Sequence, residues 1–171
     1  MLPILGGLSG GLATGQTQVI VKTNNLTGYN MTIAASSSLG MIGNASSTNY
    51  IPAYVPTTPG VPDYNFNYTV PTNVARFGYS VEASTTSDIV QAFRDNGSNA
   101  CNSVVNSNTA DKCWLNASTS AYTIINRSLP TAPNGATTTL FFKVGIGANP
   151  NPVIPNDTYV ATTTLTATTN P

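Results

Sequence analysis

The chain has 171 residues, of which 40% are apolar and 7% are charged, with six acidic residues, six basic residues and no histidine. A domain of this length can bury a substantial core. A net charge of zero excludes the basic surface that nucleic acids and acidic membranes attract. Serine, threonine and asparagine take the place of charge, supplying 61 residues (15, 26 and 20). Because eight tyrosines, five phenylalanines and many β-branched residues accompany them, the composition predicts a folded all-β protein rather than a disordered chain.

The opening stretch, MLPILGGLSGGLAT, alternates between large aliphatic residues at even positions and mostly small residues at odd positions. Its four glycines between positions 6 and 11 would each destabilise a helix by about 1 kcal/mol relative to alanine, so a strand is favoured. The stretch lacks a basic region and a clear cleavage site, which argues against an export signal. We therefore predict a separate strand over residues 1–14 and one domain over residues 15–171. The large side chains of this strand are Leu2, Ile4, Leu8 and Leu12.

The next residues carry the strongest hairpin signal in the chain. QTQVIVKT and YNMTIAA alternate between apolar and polar residues, and NNLTG between them has the composition of a turn. Further strands are predicted by YNFNYTV, RFGYSVEA, AYTIINRS, TTTLFFKVGIG and DTYVATTTLTATT. No apolar run reaches the roughly 18 residues that a membrane span needs.

One segment, TTSDIVQAFRDNG, has helical character. Ser87 or Asp88 is the expected N-cap, and Asn96 with Gly97 would end the helix. The whole pattern, seven or more strands separated by Pro, Gly and Asn, predicts an antiparallel β-sandwich of immunoglobulin-like or pilin-like type with one short helix.

The two cysteines, Cys101 and Cys113, are predicted to form a disulfide. Their spacing closes a loop of about a dozen residues, which a disulfide would stabilise by roughly 3 kcal/mol in the chain-entropy model. A metal site would need more ligands, and the chain has no histidine to supply them. A disulfide indicates an oxidising compartment.

The sequence offers no catalytic constellation. Histidine, the commonest general base and metal ligand, is absent, and the six carboxylates are scattered without motif spacing. GLSGG superficially matches a nucleophile elbow but lacks the flanking strand and helix and any histidine partner. We therefore expect no enzymatic activity, no metal and no cofactor.

Eight asparagines stand in N-x-S/T sequons, a mild excess over the number that composition alone would give. If they carry sugars, the glycans would cover a surface that lacks charge and would indicate an exported protein. The candidate sites are Asn25, Asn30, Asn44, Asn67, Asn96, Asn116, Asn126 and Asn156.

An apolar alternating N-terminal strand, followed by a Thr/Asn-rich, sequon-bearing β-sandwich ending in NDTYVATTTLTATT, resembles the donor-strand-complemented extracellular filaments. These include archaeal threads and bundling pili and the related bacterial biofilm fibres. The resemblance implies a cell-surface pilin that serves adhesion or biofilm formation. Residues 1–14 would be the donor strand, and its large side chains would be knobs that enter a groove of the next copy in a head-to-tail homopolymer.

A second interpretation is a cell-surface adhesin or carbohydrate-binding β-sandwich that uses aromatic residues such as Trp114 as a sugar platform. The first interpretation predicts a polymer, and the second predicts a monomer whose N-terminal strand folds back on its own chain. The sequence leaves open whether that strand is donated to another copy or kept.

Overall fold

The structure is a computed structural model, and it describes residues 10–66 and 73–171. Nearly all regular structure in these residues is β, with antiparallel pairing between the strands. The strands are β1 (Gly11–Val21), β2 (Tyr29–Ala35), β3 (Gly40–Gly43), β4 (Tyr50–Pro52), β5 (Asp63–Tyr64), β6 (Ala75–Ala83), β7 (Cys113–Asn116), β8 (Tyr122–Arg127), β9 (Ala136–Ile146), β10 (Tyr159–Val160) and β11 (Thr163–Thr169). The predicted all-β antiparallel sandwich is confirmed.

The strands form two layers. One layer is a five-stranded sheet in the order β1-β9-β6-β7-β5. The other consists of two three-stranded sheets, β11-β2-β8 and β10-β3-β4. These two sheets continue one another, because β2 leads into β3, β10 leads into β11, and the Ser36 amide donates to the Thr162 carbonyl across the break at 2.9 Å.

The main core lies between the layers. Tyr29, Met31 and Ile33 of β2 alternate toward Val81 of β6 and Leu140 of β9, and each is at most 3% exposed. A second cluster fills the other end of the sandwich, where Ile51 of β4 packs with Phe77 of β6 and Val144 of β9. Burial of alternating side chains from both layers is what stabilises a sandwich.

The predicted hairpin between the first two long strands is wrong. β1 pairs with β9 along its whole length, whereas β2 pairs with β11 and β8. The intervening turn, in which the Gly28 amide donates to the Asn25 carbonyl, is therefore a corner that carries the chain from one layer to the other. Both segments form strands, although β1 begins at Gly11, five residues before the predicted start at Gln16. A turn signal does not distinguish a hairpin from a corner.

The predicted helix is also wrong. The segment contains two single 3₁₀ turns, Thr86–Asp88 and Gln91–Phe93, and neither has a side-chain cap. Between them Ile89 and Val90 are extended, and the Val90 amide donates to the Ile124 carbonyl of β8. Pairing with a sheet edge, together with the low helix propensity of β-branched residues, outweighs the helical periodicity.

The disulfide is confirmed. Cys101 and Cys113 are joined, with their Cα atoms 5.8 Å apart, and the bond fastens the loop between them to the start of β7. Asp95, which is fully buried, orders the same region because its carboxylate accepts hydrogen bonds from the Gly97 amide and from Thr109.

Candidate functional site

The first half of β1 forms one wall of an apolar groove. Odd-numbered residues of β1 face the core, where Val19 and Val21 pack against the main cluster. Toward the start of the strand the same face carries only Gly11, Ala13 and Gly15. Because these residues have almost no side chain, space remains between the two layers at this end of the sandwich.

The groove has a volume of about 500 Å³. Its floor is the inner face of the five-stranded sheet, where the rings of Phe77 and Phe142 stack with centroids 6.2 Å apart. Its far wall is supplied by β3 and β4, and its second rim is the segment that leads into β10. The residues lining it are Ala13, Thr14, Gly15, Met41, Ile51, Phe77, Phe142, Val144, Ile146, Asn156, Asp157, Thr158 and Tyr159.

The groove opens on the side of the sandwich where both layers end in edge strands. β1 is the edge of one layer, and β10 and β11 are the edges of the other. The opposite side is closed, since Ile89 bridges to Ile125 of β8 and Ala53 bridges to Phe77 of β6. Within the described residues no strand pairs with the outer edge of Thr163–Thr169, which has neither charge nor proline. Such an edge is a template for strand addition.

Most of the predicted donor strand lies outside the described residues. Leu2, Ile4 and Leu8 belong to that part of the chain. Leu12 lies in β1 opposite Gly145 and is 52% exposed on the face that points away from the core. β1 begins at Gly11, so the boundary predicted between residues 14 and 15 falls within this strand.

Trp114 is buried beneath a loop on the outer face of the five-stranded sheet. It is 0% exposed, and its ring centroid lies 5.3 Å from that of Phe66. The Tyr54 ring packs against Phe66 in turn, with centroids 5.0 Å apart. The Lys143 ammonium lies 4.2 Å from the indole centroid and 3.0 Å from a carboxylate oxygen of Asp111. This aromatic cluster is a third, small core on the outer face of the sheet, so Trp114 is not available as a sugar platform.

Five of the six carboxylates have structural partners. The carboxylate contacts are Asp63 with Tyr54, Asp88 with Arg127, Asp95 with Thr109, Asp111 with Lys143, and Asp157 with Ala45. Two of these contacts shift a pKa. Burial and the hydrogen bond to Asp63 raise the pKa of Tyr54, whereas hydrogen bonds from the Ala45 amide and the Asn49 side chain lower the pKa of Asp157. Among the described residues no three His, Cys, Asp or Glu side chains form a group that could hold a metal ion.

The sequons differ in exposure. Asn67 lies outside the described residues, and the remaining seven separate into two groups. Half-buried sites are Asn25, Asn30 and Asn116, and exposed sites are Asn44, Asn96, Asn126 and Asn156.

Sequence reasoning missed the residues that shape the groove. It placed function on the large residues at even positions and gave no role to Gly11, Ala13 and Gly15. The available signal was the run of small residues at alternate positions, which only Thr17 separates from Val19 and Val21 on the same face. It also missed Asn170, whose backbone and side chain join the end of β11 to the corner after β1.

Comparison of the chain with known protein families, characterised proteins and solved structures gives no match. In residues 10–66 and 73–171 there is no helix with the length and apolar character to cross a membrane.

The buried tyrosines predict a loss of stability at alkaline pH. Burial raises the pKa of Tyr79 far above its ordinary value, and the neighbouring Tyr122 adds to the shift. The folded state therefore holds this proton more tightly than the unfolded state, so its contribution to stability is complete below the unfolded pKa of about 10 and is lost as the pH rises further. Thermal unfolding of wild type and Tyr79→Phe between pH 8 and 11 should show a steeper fall for wild type. Equal slopes would contradict the role of Tyr79.

Proposed function

We propose that this protein is a structural subunit of an extracellular filament, a pilus or thread, that polymerises by donor-strand complementation. The N-terminal strand of one copy enters the groove of the next, and the resulting filaments serve adhesion or biofilm formation. Because residues 11–14 belong to β1 of their own subunit, the knobs in this proposal are Leu2, Ile4 and Leu8.

The observation that carries the proposal is the apolar groove at an open edge. The groove lies between β1 and β10, and both strands present an edge there. An extended segment added at this edge would form main-chain hydrogen bonds while its alternate side chains enter the groove. The sequence before Gly11 has that alternation of large and small residues.

Burial of three aliphatic side chains would make the contact strong. Each Leu or Ile contributes roughly 1.5–3 kcal/mol when fully buried, before the cost of ordering the segment. Donor segment and groove are different surfaces, so the contact is head-to-tail. If the rotation between subunits does not close a ring, such a contact builds an open filament.

The remaining properties fit an exported structural protein. The disulfide requires an oxidising compartment to persist, and we propose that glycans on the sequons take over the solubilising role that charged residues usually have. We propose no catalytic activity, because the carboxylates described above are engaged in structural contacts. Burial of Trp114 argues against its use as a sugar platform in the carbohydrate-binding alternative, which also relies on other aromatic residues and on Asn-rich loops.

The test compares the oxidised 171-residue chain with the triple variant Leu2→Ser/Ile4→Ser/Leu8→Ser by light scattering and negative-stain microscopy. Wild type should form filaments. The triple variant should remain monomeric with an unchanged thermal midpoint, because the substitutions leave the described core intact. Leu5→Ser is the matched control, since it removes an aliphatic side chain from the other face of the segment and should still polymerise.

Two outcomes would overturn the proposal: a wild-type protein that stays monomeric at all concentrations, or filaments of wild-type length from the triple variant.

A further inference from the structure

Asn170 fastens the end of β11 to the corner between β1 and β2. Its carbonyl accepts hydrogen bonds from Asn25 Nδ2 at 2.8 Å and from Thr27 Oγ1 at 3.1 Å. Its side-chain oxygen accepts from Asn30 Nδ2 at 2.6 Å, and its Nδ2 donates to the carbonyls of Thr27 and Arg127 at 2.6 and 2.9 Å. We call this group of contacts the Asn170 clasp.

Two of the asparagines in the clasp, Asn25 and Asn30, are sequon asparagines, and the atom they use is the one that would carry a sugar. Asn25 Nδ2 has two hydrogens, and they serve three acceptors: Thr27 Oγ1 at 2.9 Å, the Gly28 carbonyl at 2.9 Å and the Asn170 carbonyl at 2.8 Å. Asn30 Nδ2 bonds the Asn170 side chain. Both asparagines are half-buried.

The exposed sequons present their amides differently. Asn96 is held through its oxygen, which accepts from the amides of Ser98, Asn99 and Ala100 at 3.0 to 3.1 Å. Its Nδ2 has only a long 3.4 Å contact with Asn99 Oδ1. A sugar attached to Asn96 Nδ2 would leave all three hydrogen bonds to Asn96 Oδ1 in place. Asn44, Asn126 and Asn156 are also exposed.

We propose that the fold places five of the described sequons in two classes. Asn25 and Asn30 are structural members of the clasp and stay unmodified, whereas Asn44, Asn96 and Asn126 are the acceptors of N-linked glycans. Asn116, which is half-buried, and Asn156, which lines the groove, belong to neither class. The co-reactant is a lipid-linked oligosaccharide phosphate, delivered by a transferase of the host. In the reaction a bond forms between asparagine Nδ2 and the sugar C1, the bond between C1 and the phosphate oxygen breaks, and one amide proton is released.

The physical reason is the lack of space around the nitrogen that would be substituted. Both hydrogens of Asn25 Nδ2 serve acceptors 2.8–2.9 Å away, so a sugar C1 on this nitrogen would replace one hydrogen and clash with its acceptor. The Gly28 and Asn170 carbonyls keep other donors, the Asn170 amide and Thr27 Oγ1, so the obstacle is steric. Asn30 Nδ2 lies 2.6 Å from Asn170 Oδ1 on a half-buried side chain, and a sugar there would force the same groups apart. The inference does not depend on filament formation, and its readout is separate from the polymeric state.

The first experiment is glycopeptide mass spectrometry of the protein purified from its native host, after digestion with chymotrypsin. We expect sugar on peptides that contain Asn44, Asn96 and Asn126 and none on Asn25 or Asn30. A glycan on either clasp asparagine, or no glycan at any of the three exposed acceptor sites, overturns the assignment.

The second experiment measures thermal unfolding of Gln variants made without glycosylation. Asn25→Gln and Asn30→Gln should lower the midpoint by on the order of 2–6 °C, since each loses contacts of the clasp. Asn44→Gln and Asn126→Gln are the matched controls and should leave the midpoint unchanged. If the clasp variants unfold at the same temperature as the controls, the structural role of the clasp is wrong.

Discussion

Substitution of Gly15 by leucine should abolish polymerisation while leaving the subunit folded. Gly15 has an ordinary negative φ, and a Cβ built there would meet no atom within 4 Å. It lies opposite Phe142 and lines the groove, so a leucine side chain would fill the groove from its own subunit. Replacing glycine in a strand also lowers the entropy of the unfolded chain. The expected result is a monomer whose thermal midpoint is equal to or higher than that of wild type, measured by light scattering and circular dichroism.

The matched control is Gln16→Leu, the next residue of β1. Its side chain is exposed and points away from the groove, so this variant adds the same leucine and should still polymerise. Filaments from Gly15→Leu would contradict the groove as the acceptor site.

A mixing experiment separates donation in trans from a strand that folds back. Gly15→Leu keeps its N-terminal segment but has a filled groove, and the triple serine variant keeps an open groove but lacks the knobs. Mixing the two monomers should give a 1:1 heterodimer, and neither variant should dimerise alone. Absence of the heterodimer would contradict donation between copies.

Trp114→Ala should lower the free energy of unfolding by about 3–5 kcal/mol, the usual range for an aromatic residue removed from a core. The indole is fully buried and packs against Phe66 beneath the Lys143 ammonium. The substitution also removes the aromatic ring that forms a cation–π contact with the Lys143 ammonium. Urea unfolding followed by far-UV circular dichroism is the measurement, because Trp114 is the only tryptophan.

The control for Trp114 is Val104→Ala in the loop closed by the disulfide. Val104 is 83% exposed, so its truncation should change stability by no more than about 0.5 kcal/mol. A Trp114→Ala variant within 1 kcal/mol of wild type would contradict the packed position of the indole.

Local patterns located most of the long strands but did not identify their partners. RFGYSVEA, AYTIINRS and TTTLFFKVGIG each coincide with a strand to within one residue at either end. In YNFNYTV, only Tyr64 of the described residues lies in a strand, and residues 67–70 lie outside the described part of the chain. The turn after β1 has the composition of a hairpin turn, yet the two flanking strands lie in different layers. Composition at a turn specifies a reversal of the chain over a few residues, whereas the choice of partner depends on residues more than a hundred positions away.

The misassigned helix has the same cause. Ile89 and Phe93 share a face in either conformation, and both are 0% exposed. The spacing of apolar residues in this segment therefore predicted correctly which side chains are buried. What decided against a helix was the free edge of β8, which Ile89 and Val90 cover in extended form.

The sequence by itself determined the all-β class, the positions of the long strands and the disulfide, because alternation, composition and cysteine count act over short distances along the chain. Only the tertiary structure decided which strand edges stay open and where the groove lies, because both depend on pairing between β1 and β9 and between β2 and β11. The small residues at the start of β1 became a groove wall only when that pairing placed them opposite Phe142 and Val144. The same pairing turned two sequon asparagines into parts of the Asn170 clasp, a role that no local motif encodes.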